Sequence, residues 1–193
     1  MTDSGRDRCA DTEASADGGR IDVTYIRRWR EDVSACLARL LPGFEARCGY
    51  PPGRHTIGGP AGEEELASLA TMCPPGDLLA WYRQVREVSL PDVGNGVFIH
   101  DPGLVARREV TAVRGRCAAD VVVFASDGGG TLFAVEAVSG SPVYRLPAGE
   151  VVAGVYCSDD QRFAVVAEDL AGFLDRQRDA VELFVATGAG VDL

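Results

Sequence analysis

The chain has 193 residues, of which 46% are hydrophobic and 25% are charged, a composition typical of a soluble globular protein with a core of its own. Its 29 acidic and 19 basic side chains give a formal net charge of −10, which argues against nucleic-acid binding because phosphate backbones attract clustered positive charge. No apolar run approaches the roughly 20 residues that span a bilayer, and the start of the chain lacks the apolar segment of a secretory signal, so we expect a cytoplasmic protein with no membrane contact.

The chain opens with a polar segment that is followed by a strong helical pattern. Residues 1–20 are rich in Gly, Ser and Asp and nearly free of large apolar side chains, so we expect a disordered tail. From Asp22 to Leu41, apolar residues recur at three- and four-residue spacing. This pattern predicts an amphipathic helix that Asp22 caps and Pro42 ends.

Two shorter helices are predicted next. The first covers 63–72 and begins with three Glu, which suit the positive end of the helix dipole. The second begins at Asp77, its predicted N-cap. Trp81 and Tyr82 are neighbours on this helix and point about 100° apart, so we do not expect both to be fully buried. Either one of them is an exposed aromatic anchor for a partner, or the helix has a wide apolar face.

Beyond Pro91 the pattern changes to strands, which are predicted over 97–99, 109–113, 120–125, 131–137 and 143–146, with further strand patterns over 151–156 and 163–167. An amphipathic helix over 168–185 closes the chain. We therefore expect an α+β fold in a single domain over 21–193. Its mostly antiparallel central sheet of about five to six strands is flanked by N-terminal helices and a C-terminal helix. The helices are expected to cover one sheet face and leave the other available.

The glycine-rich segment Ser-Asp-Gly-Gly-Gly at 126–130 has two interpretations. Backbone amides of such loops cradle phosphates when a helix follows. Here the next residues read as a strand, and no Lys with Ser or Thr follows the glycines. Because Asp-Gly is the strongest short hairpin signal, the segment predicts a tight hairpin turn.

Neither a metal site nor a cofactor site is predicted. The six Cys (9, 36, 48, 73, 117 and 157) form no CxxC pair and no close pairing with His, so a zinc site is not expected. The acidic residues between 159 and 179 lack the alternating spacing and fixed Gly of a calcium loop. We interpret them as a solvated acidic face.

His100 carries the one catalytic hypothesis. His100 and Asp101 are adjacent, so His100 could act as a base beside a Cys or Ser nucleophile in a hydrolase. The alternative is a strand end before a turn at Pro102. The nucleophile elbow GxSxG is absent, and we expect no enzyme.

The negative charge is concentrated late in the chain. From Cys117 onward, 12 acidic residues stand against 4 Arg, a balance of −8. Such a surface speeds the encounter with a basic partner.

The order of several motifs resembles the SUKH superfamily, which includes the yeast cell-wall assembly regulator Smi/Knr and many bacterial immunity proteins. The resemblance covers roughly 60–185 and rests on these segments: a Glu-led helix, Leu-Leu-Ala-Trp-Tyr-Arg (78–83), Ser-Leu-Pro-Asp-Val-Gly-Asn-Gly (89–96), Val-Val-Phe-Ala-Ser-Asp-Gly-Gly-Gly-Thr-Leu-Phe-Ala-Val (122–135), Pro-Val-Tyr-Arg-Leu (142–146) and Leu-Ala-Gly-Phe-Leu (170–174). At the end of the third predicted helix, where many relatives have Asn-Gly-Gly, this chain has Arg-Glu-Val (86–88). The resemblance implies a protein-binding α+β domain without a catalytic set.

These observations favour a non-enzymatic protein-binding module, a monomer or weak homodimer, that acts as an immunity protein on a basic toxin domain. A housekeeping regulatory module of the same fold is the first alternative, and the His100 hydrolase is the second. The residues proposed to bind the partner are Asp127, Tyr156, Asp159 and Asp160, which combine negative charge with one aromatic group on loops. The competing interpretation is that Asp127 only closes its turn and that Tyr156 belongs to the core.

Overall fold

The computed structural model describes residues 21–72, 74–108, 111–113, 119–158 and 162–190. The predicted tail over 1–20 lies outside these ranges, as do Asp159 and Asp160.

Within the described residues the chain forms six helices, which are α1 Val23–Leu40, α2 Phe44–Cys48, α3 Glu63–Ala70, α4 Gly76–Tyr82, α5 Pro102–Arg108 and α6 Leu170–Thr187. The two long helices begin where the sequence places caps. The Asp22 carboxylate accepts the N–H of Tyr25 at 2.7 Å, and the Asp169 carboxylate accepts the N–H of Gly172 at 2.7 Å. The predicted cap at Asp77 is wrong, because α4 begins at Gly76 and its N-cap is Pro75, two residues before Asp77.

The same ranges contain ten short strands, which are β1 Thr56–Ile57, β2 Val88–Leu90, β3 Val97–Ile99, β4 Thr111–Val113, β5 Ala119–Ser126, β6 Leu132–Glu136, β7 Val143–Leu146, β8 Glu150–Val152, β9 Val155–Cys157 and β10 Ala164–Ala167. The α+β class and the mostly antiparallel sheet flanked by helices are confirmed. The strand segments outnumber the five to six expected, because several have only two or three residues.

The sheet divides at β5, its central strand. One edge of β5 pairs with β6, which continues to β7 and then β10. The carboxyl end of the other edge pairs with β3, which leads to β2 and β1. The amino end of that edge pairs with β4, which leads to β9 and β8. Among the described strands, the pairing of β4 with β9 is parallel and the others are antiparallel.

A bulge in β5 places two successive side chains in the larger core. The register with β6 shifts between Val123 and Ala125, so Phe124 and Ala125 both join the core beneath the helices. Phe173 of α6 packs on Phe124 and Phe133 with ring centroids 5.2 and 5.1 Å apart. α6 therefore covers this face of the sheet.

The opposite sheet face was expected to stay available to a partner. It instead carries a second, smaller core. Its buried members are at most 8% exposed. Tyr144 of this cluster stacks on Phe163, with ring centroids 5.7 Å apart. The cluster consists of Val113, Val121, Val123, Ala134, Tyr144, Leu146 and Tyr156.

Both aromatic residues at the end of α4 are buried, so the expectation that they would not both be fully buried is wrong, and the alternative of a wide apolar face is the one observed. Trp81 is 1% exposed and meets Trp29 of α1 edge to face, with ring centroids 5.1 Å apart. The hydroxyl of Tyr82 donates to the carbonyl of His100 at 2.8 Å, and burial raises the pKa of Tyr82 above its ordinary range. The short helix is buried from two sides, by α1 and by the end of β3.

Two further elements differ from the expectation. The strand predicted over 151–156 is a hairpin of β8 and β9, because Ala153 and Gly154 adopt positive φ angles of 50° and 75° and reverse the chain. The turn expected at Pro102 is the start of α5. There the Asp101 carboxylate accepts the N–H of Leu104 at 2.9 Å, so an acidic residue before Pro marks a helix start.

Candidate functional site

The glycine-rich segment 126–130 is the hairpin turn between β5 and β6, as predicted. One carboxylate oxygen of Asp127 accepts the N–H groups of Gly129 at 2.9 Å and Thr131 at 2.8 Å. The N–H of Asp127 donates to the carbonyl of Thr131, and that of Gly128 donates to the carbonyl of Asn95 at 2.7 Å. These amides are engaged within the protein. Asp127 closes its turn, which was the competing interpretation.

Tyr156 belongs to the second core. It is 5% exposed, and its hydroxyl donates to the carbonyl of Pro147 at 2.6 Å. The prediction that Tyr156 is an exposed aromatic anchor is therefore wrong. Alternation along β9 explains the burial, since Val155 and Cys157 are more exposed on either side.

The connection between β7 and β8, residues 147–149, lies next to both the hairpin that carries Asp127 and the end of β9. A Cβ placed on Gly130 of the hairpin would lie 3.5 Å from the Cβ of Ala148. The Ser158 hydroxyl, at the end of β9, donates to the carbonyl of Ala148 at 3.1 Å. The hairpin of Asp127 and the end of β9 are therefore neighbours of one segment.

Among the described residues, Asp127 and Glu150 are the acidic residues on the segments next to this connection. Glu150 is exposed and pairs with Cys157 of β9. Asp127 is half-buried on the adjacent hairpin. Asp159 and Asp160 follow Ser158 in the sequence, outside the described residues. We call this set, Asp127, Glu150, Asp159 and Asp160, the acidic edge.

A cavity of about 30 Å³ lies beside the same hairpin. Its walls come from the loop between β2 and β3, the hairpin, the strands beneath it and the last turns of α6. Two glycine-rich loops close it, 94–96 and 126–130, and their backbones touch. A Cβ on Gly128 would lie 2.3 Å from the carbonyl oxygen of Asn95.

Two buried polar atoms belong to side chains that line this cavity. Arg145 Nε and Gln177 Oε1 are shielded from solvent and have no hydrogen-bond partner among the described residues. Gln177 as a whole is only 1% exposed. Leaving such a group unpaired costs about 1–3 kcal/mol, so native proteins rarely leave one without a purpose.

Neither of these residues was predicted from the sequence. Gln177 lies on the apolar stripe of α6, between Leu174 and Val181, where a polar residue breaks the helical pattern. That break was the available signal. Arg145 alternates with Tyr144 and Leu146 along β7 and so faces α6, not the second core. Strand alternation alone does not tell which face a helix will cover.

A buried pair holds the loop between β2 and β3 in place. Asp92 accepts a hydrogen bond from the N–H of Gly53 at 2.7 Å and lies 2.9 Å from His55 Nε2. The side chains of His55 and Asp92 are 3% and 9% exposed. This contact fixes the start of the loop that lines the cavity.

His100 lies within hydrogen-bond reach of a hydroxyl. Its Nε2 is 2.8 Å from Ser126 Oγ, because β3 and β5 pair so that Phe98 faces Ser126 and His100 is the diagonal neighbour. The amides of the adjacent turn are paired internally, as described above. The described part of this turn therefore offers no free pair of amides to stabilise an oxyanion.

Among the described residues, no group of three or more His, Cys, Asp or Glu side chains is placed to hold a metal ion. No helix in the described ranges combines the length and apolarity needed to cross a membrane. No model of a known protein family matches the chain, and no curated protein matches it in sequence.

Proposed function

We propose that the chain is a non-enzymatic protein-binding module of the SUKH type, and that it acts as an immunity protein that neutralises a toxin by binding it. The observation that carries this proposal is the acidic edge. Glu150 and the hairpin that carries Asp127 lie next to residues 147–149, and from residue 117 onward the sequence has 12 acidic residues against 4 Arg.

Of the four Arg residues in the C-terminal part, Arg178 is engaged by carboxylates of its own helix. Arg178 is 3.2 Å from the Asp175 carboxylate and 3.0 Å from that of Asp179 on α6. Arg145 lines the cavity, where its Nε is buried. An acidic surface of this kind attracts a basic partner and accelerates docking. Many toxin domains are nucleases and are basic, so an acidic inhibitor can occupy the surface that binds nucleic acid.

The test is a double charge reversal, Asp159→Arg with Asp160→Arg, in the full chain. The matched control reverses two exposed acidic residues in the middle of α1, Glu31→Arg with Asp32→Arg, and changes the net charge equally. We expect the first variant to fold and lose affinity for the native partner, and the control to retain it. Equal affinity of both folded variants would remove the acidic edge from the binding surface.

The first alternative is a housekeeping regulatory module of the same fold, in which the acidic residues keep the protein soluble. The neighbouring gene distinguishes the two roles. A large secreted toxin with a C-terminal nuclease-like domain beside this gene supports immunity, and its absence supports regulation.

The second alternative is a hydrolase in which His100 activates Ser126, favoured by the 2.8 Å contact between them. A fluorophosphonate reagent tests it, because such reagents label activated serines. On the binding proposal Ser126 stays unlabelled. Labelling of Ser126 that disappears in His100→Ala would replace the binding module by an enzyme.

A further inference from the structure

The sheet ends in three strands, β1, β8 and β10, and β10 is the longest of them. It pairs with β7 along one edge, and no strand in the described part of the chain pairs with its other edge. Residues 163–167 contain neither a charged residue nor Pro, which protect many free edges. Val165 in this strand is 56% exposed. An uncharged, exposed edge of this kind is a template for pairing with another chain.

The hydrogen bonds of the neighbouring strands show which backbone groups of β10 face outward. The N–H of Glu136 donates to the carbonyl of Pro142 at 3.3 Å, which fixes the alternation of bonded pairs between β6 and β7. By that alternation the backbone of Tyr144 bonds toward β6 and not toward β10. Val165 lies opposite Tyr144, so the N–H and C=O of Val165 point away from β7. Within the described ranges, no loop or turn forms a backbone hydrogen bond with these two groups.

The sequence around Val165 is complementary to itself when two copies of the strand run antiparallel. With a two-fold axis at Val165, each Val165 faces the other, and residues three positions before and three positions after it face each other as well. Those residues are Arg162 and Glu168, and both are exposed. The interface then contains two pairs of opposite charge. Other registers do not bring these two charges opposite each other.

We propose that a second copy of this chain pairs with β10, antiparallel and two-fold symmetric, with its axis at Val165. The two Val165 residues exchange two backbone hydrogen bonds, which satisfy the outward N–H and C=O of each. Phe163, which stacks on Tyr144, is the diagonal neighbour of the second copy's Val165 and helps to cover it. The inference is independent of the proposed function, since it needs no partner of another kind.

The regular part of this edge is short. A bulge between Val165 and Ala167 interrupts the ladder after Val165, so few further backbone hydrogen bonds can form. We therefore expect a weak dimer whose population depends on protein concentration.

Sedimentation velocity of the full chain at increasing concentration measures this association. We expect the mean mass to rise from that of one chain towards that of two. Hydrogen exchange of the Val165 amide should slow over the same range, because that N–H is bonded in the dimer and faces solvent in the single chain. The mass of a single chain at every concentration up to about 1 mM would overturn the inference.

Three Val→Arg variants locate the interface. Val165→Arg should abolish the association, because it places two cations opposite each other on the axis. Val138→Arg is the matched control, since Val138 is 88% exposed in the turn between β6 and β7. Val152→Arg tests the other exposed edge, because Val152 of β8 is 57% exposed. We expect the last two variants to associate like the wild type. Association lost in Val152→Arg and kept in Val165→Arg would place the interface at β8 and overturn the inference.

A charge swap tests the register. Glu168→Arg should weaken the association about tenfold or more, because both attractive pairs become repulsive. Arg162→Glu should do the same, and the double variant should recover the wild-type association because it only exchanges the two charges. Weakening in both single variants without recovery in the double variant would contradict the proposed pairing. Both positions are exposed, so this set still decides if circular dichroism shows that Val165→Arg does not fold.

Discussion

Replacing Gly128 by Ala should separate the two loops that form the cavity. The added Cβ would lie 2.3 Å from the carbonyl oxygen of Asn95, a backbone atom that cannot rotate away as a side chain could. The hydrogen bond from the Gly128 N–H to the same oxygen, 2.7 Å long, would be strained or lost. Overpacking costs about 1–3 kcal/mol and the hydrogen bond about 1 kcal/mol, so we expect a loss of about 3 kcal/mol. For a domain of this size, that lowers Tm by about 9 °C.

Gly129→Ala is the matched control in the same turn. A Cβ there would lie 3.4 Å from an Asp127 carboxylate oxygen, at an exposed position, so the change should stay within about 0.5 kcal/mol. Circular dichroism melts and urea titrations of both variants provide the measurement. If the Gly128→Ala variant had the same Tm as the Gly129→Ala variant and the wild type, the loops would not be in contact and the cavity would be wider than described.

Three further predictions concern the cores and one ion pair. Tyr156→Phe should cost about 1 kcal/mol in urea unfolding, because it leaves the buried carbonyl of Pro147 without its donor; no loss would place Tyr156 at the surface after all. Trp29→Phe should cost about 2 kcal/mol by the same assay, since it opens space between α1 and α6 and removes a buried donor to a carbonyl of α6. The hydrogen bonds from Arg86 hold the pKa of Glu65 below its ordinary value. The ionised carboxylate therefore stabilises the fold fully when the pH is above the pKa of Glu65 in the unfolded chain. This stabilisation is lost as the pH falls through the lower pKa that Glu65 has in the folded protein. Glu65→Gln should therefore cost at most about 1 kcal/mol at neutral pH, because the pair is partly exposed, and the gap to wild type should close on acidification; a gap independent of pH would contradict the assignment.

The elements that sequence patterns located well are long and strongly periodic. The apolar pattern from Asp22 to Leu41 predicted α1, the run over 120–125 predicted β5, and the Asp-Gly signal predicted the hairpin. The missed elements are short. β1 has two residues and β2 three, so no period can be read, and their strand geometry depends on pairing with β3. The burial of both Trp81 and Tyr82 likewise depends on what packs on either side of α4, which the helix itself does not encode.

In the candidate site, too, local features could be located from the sequence and features that depend on distant contacts could not. Asp127 could be located from its turn signal, because the hairpin is local. The cavity could not, since Arg145 and Gln177 come from a strand and a helix 32 residues apart and meet only when α6 covers the sheet. The exposure predicted for Tyr156 was wrong because β9 turns that side chain into a second core, which forms only when the sheet divides at β5.

Salt-dependent capture of the partner tests the central claim, electrostatic docking by a protein-binding module, most directly. The full chain is immobilised and exposed to lysate of its native host, and the retained protein is measured at low and at high salt. We expect one basic protein to be retained at low salt and released at high salt, because screening weakens attraction between exposed charges. Retention of nothing at either salt, or of a protein held equally at both, would contradict the account.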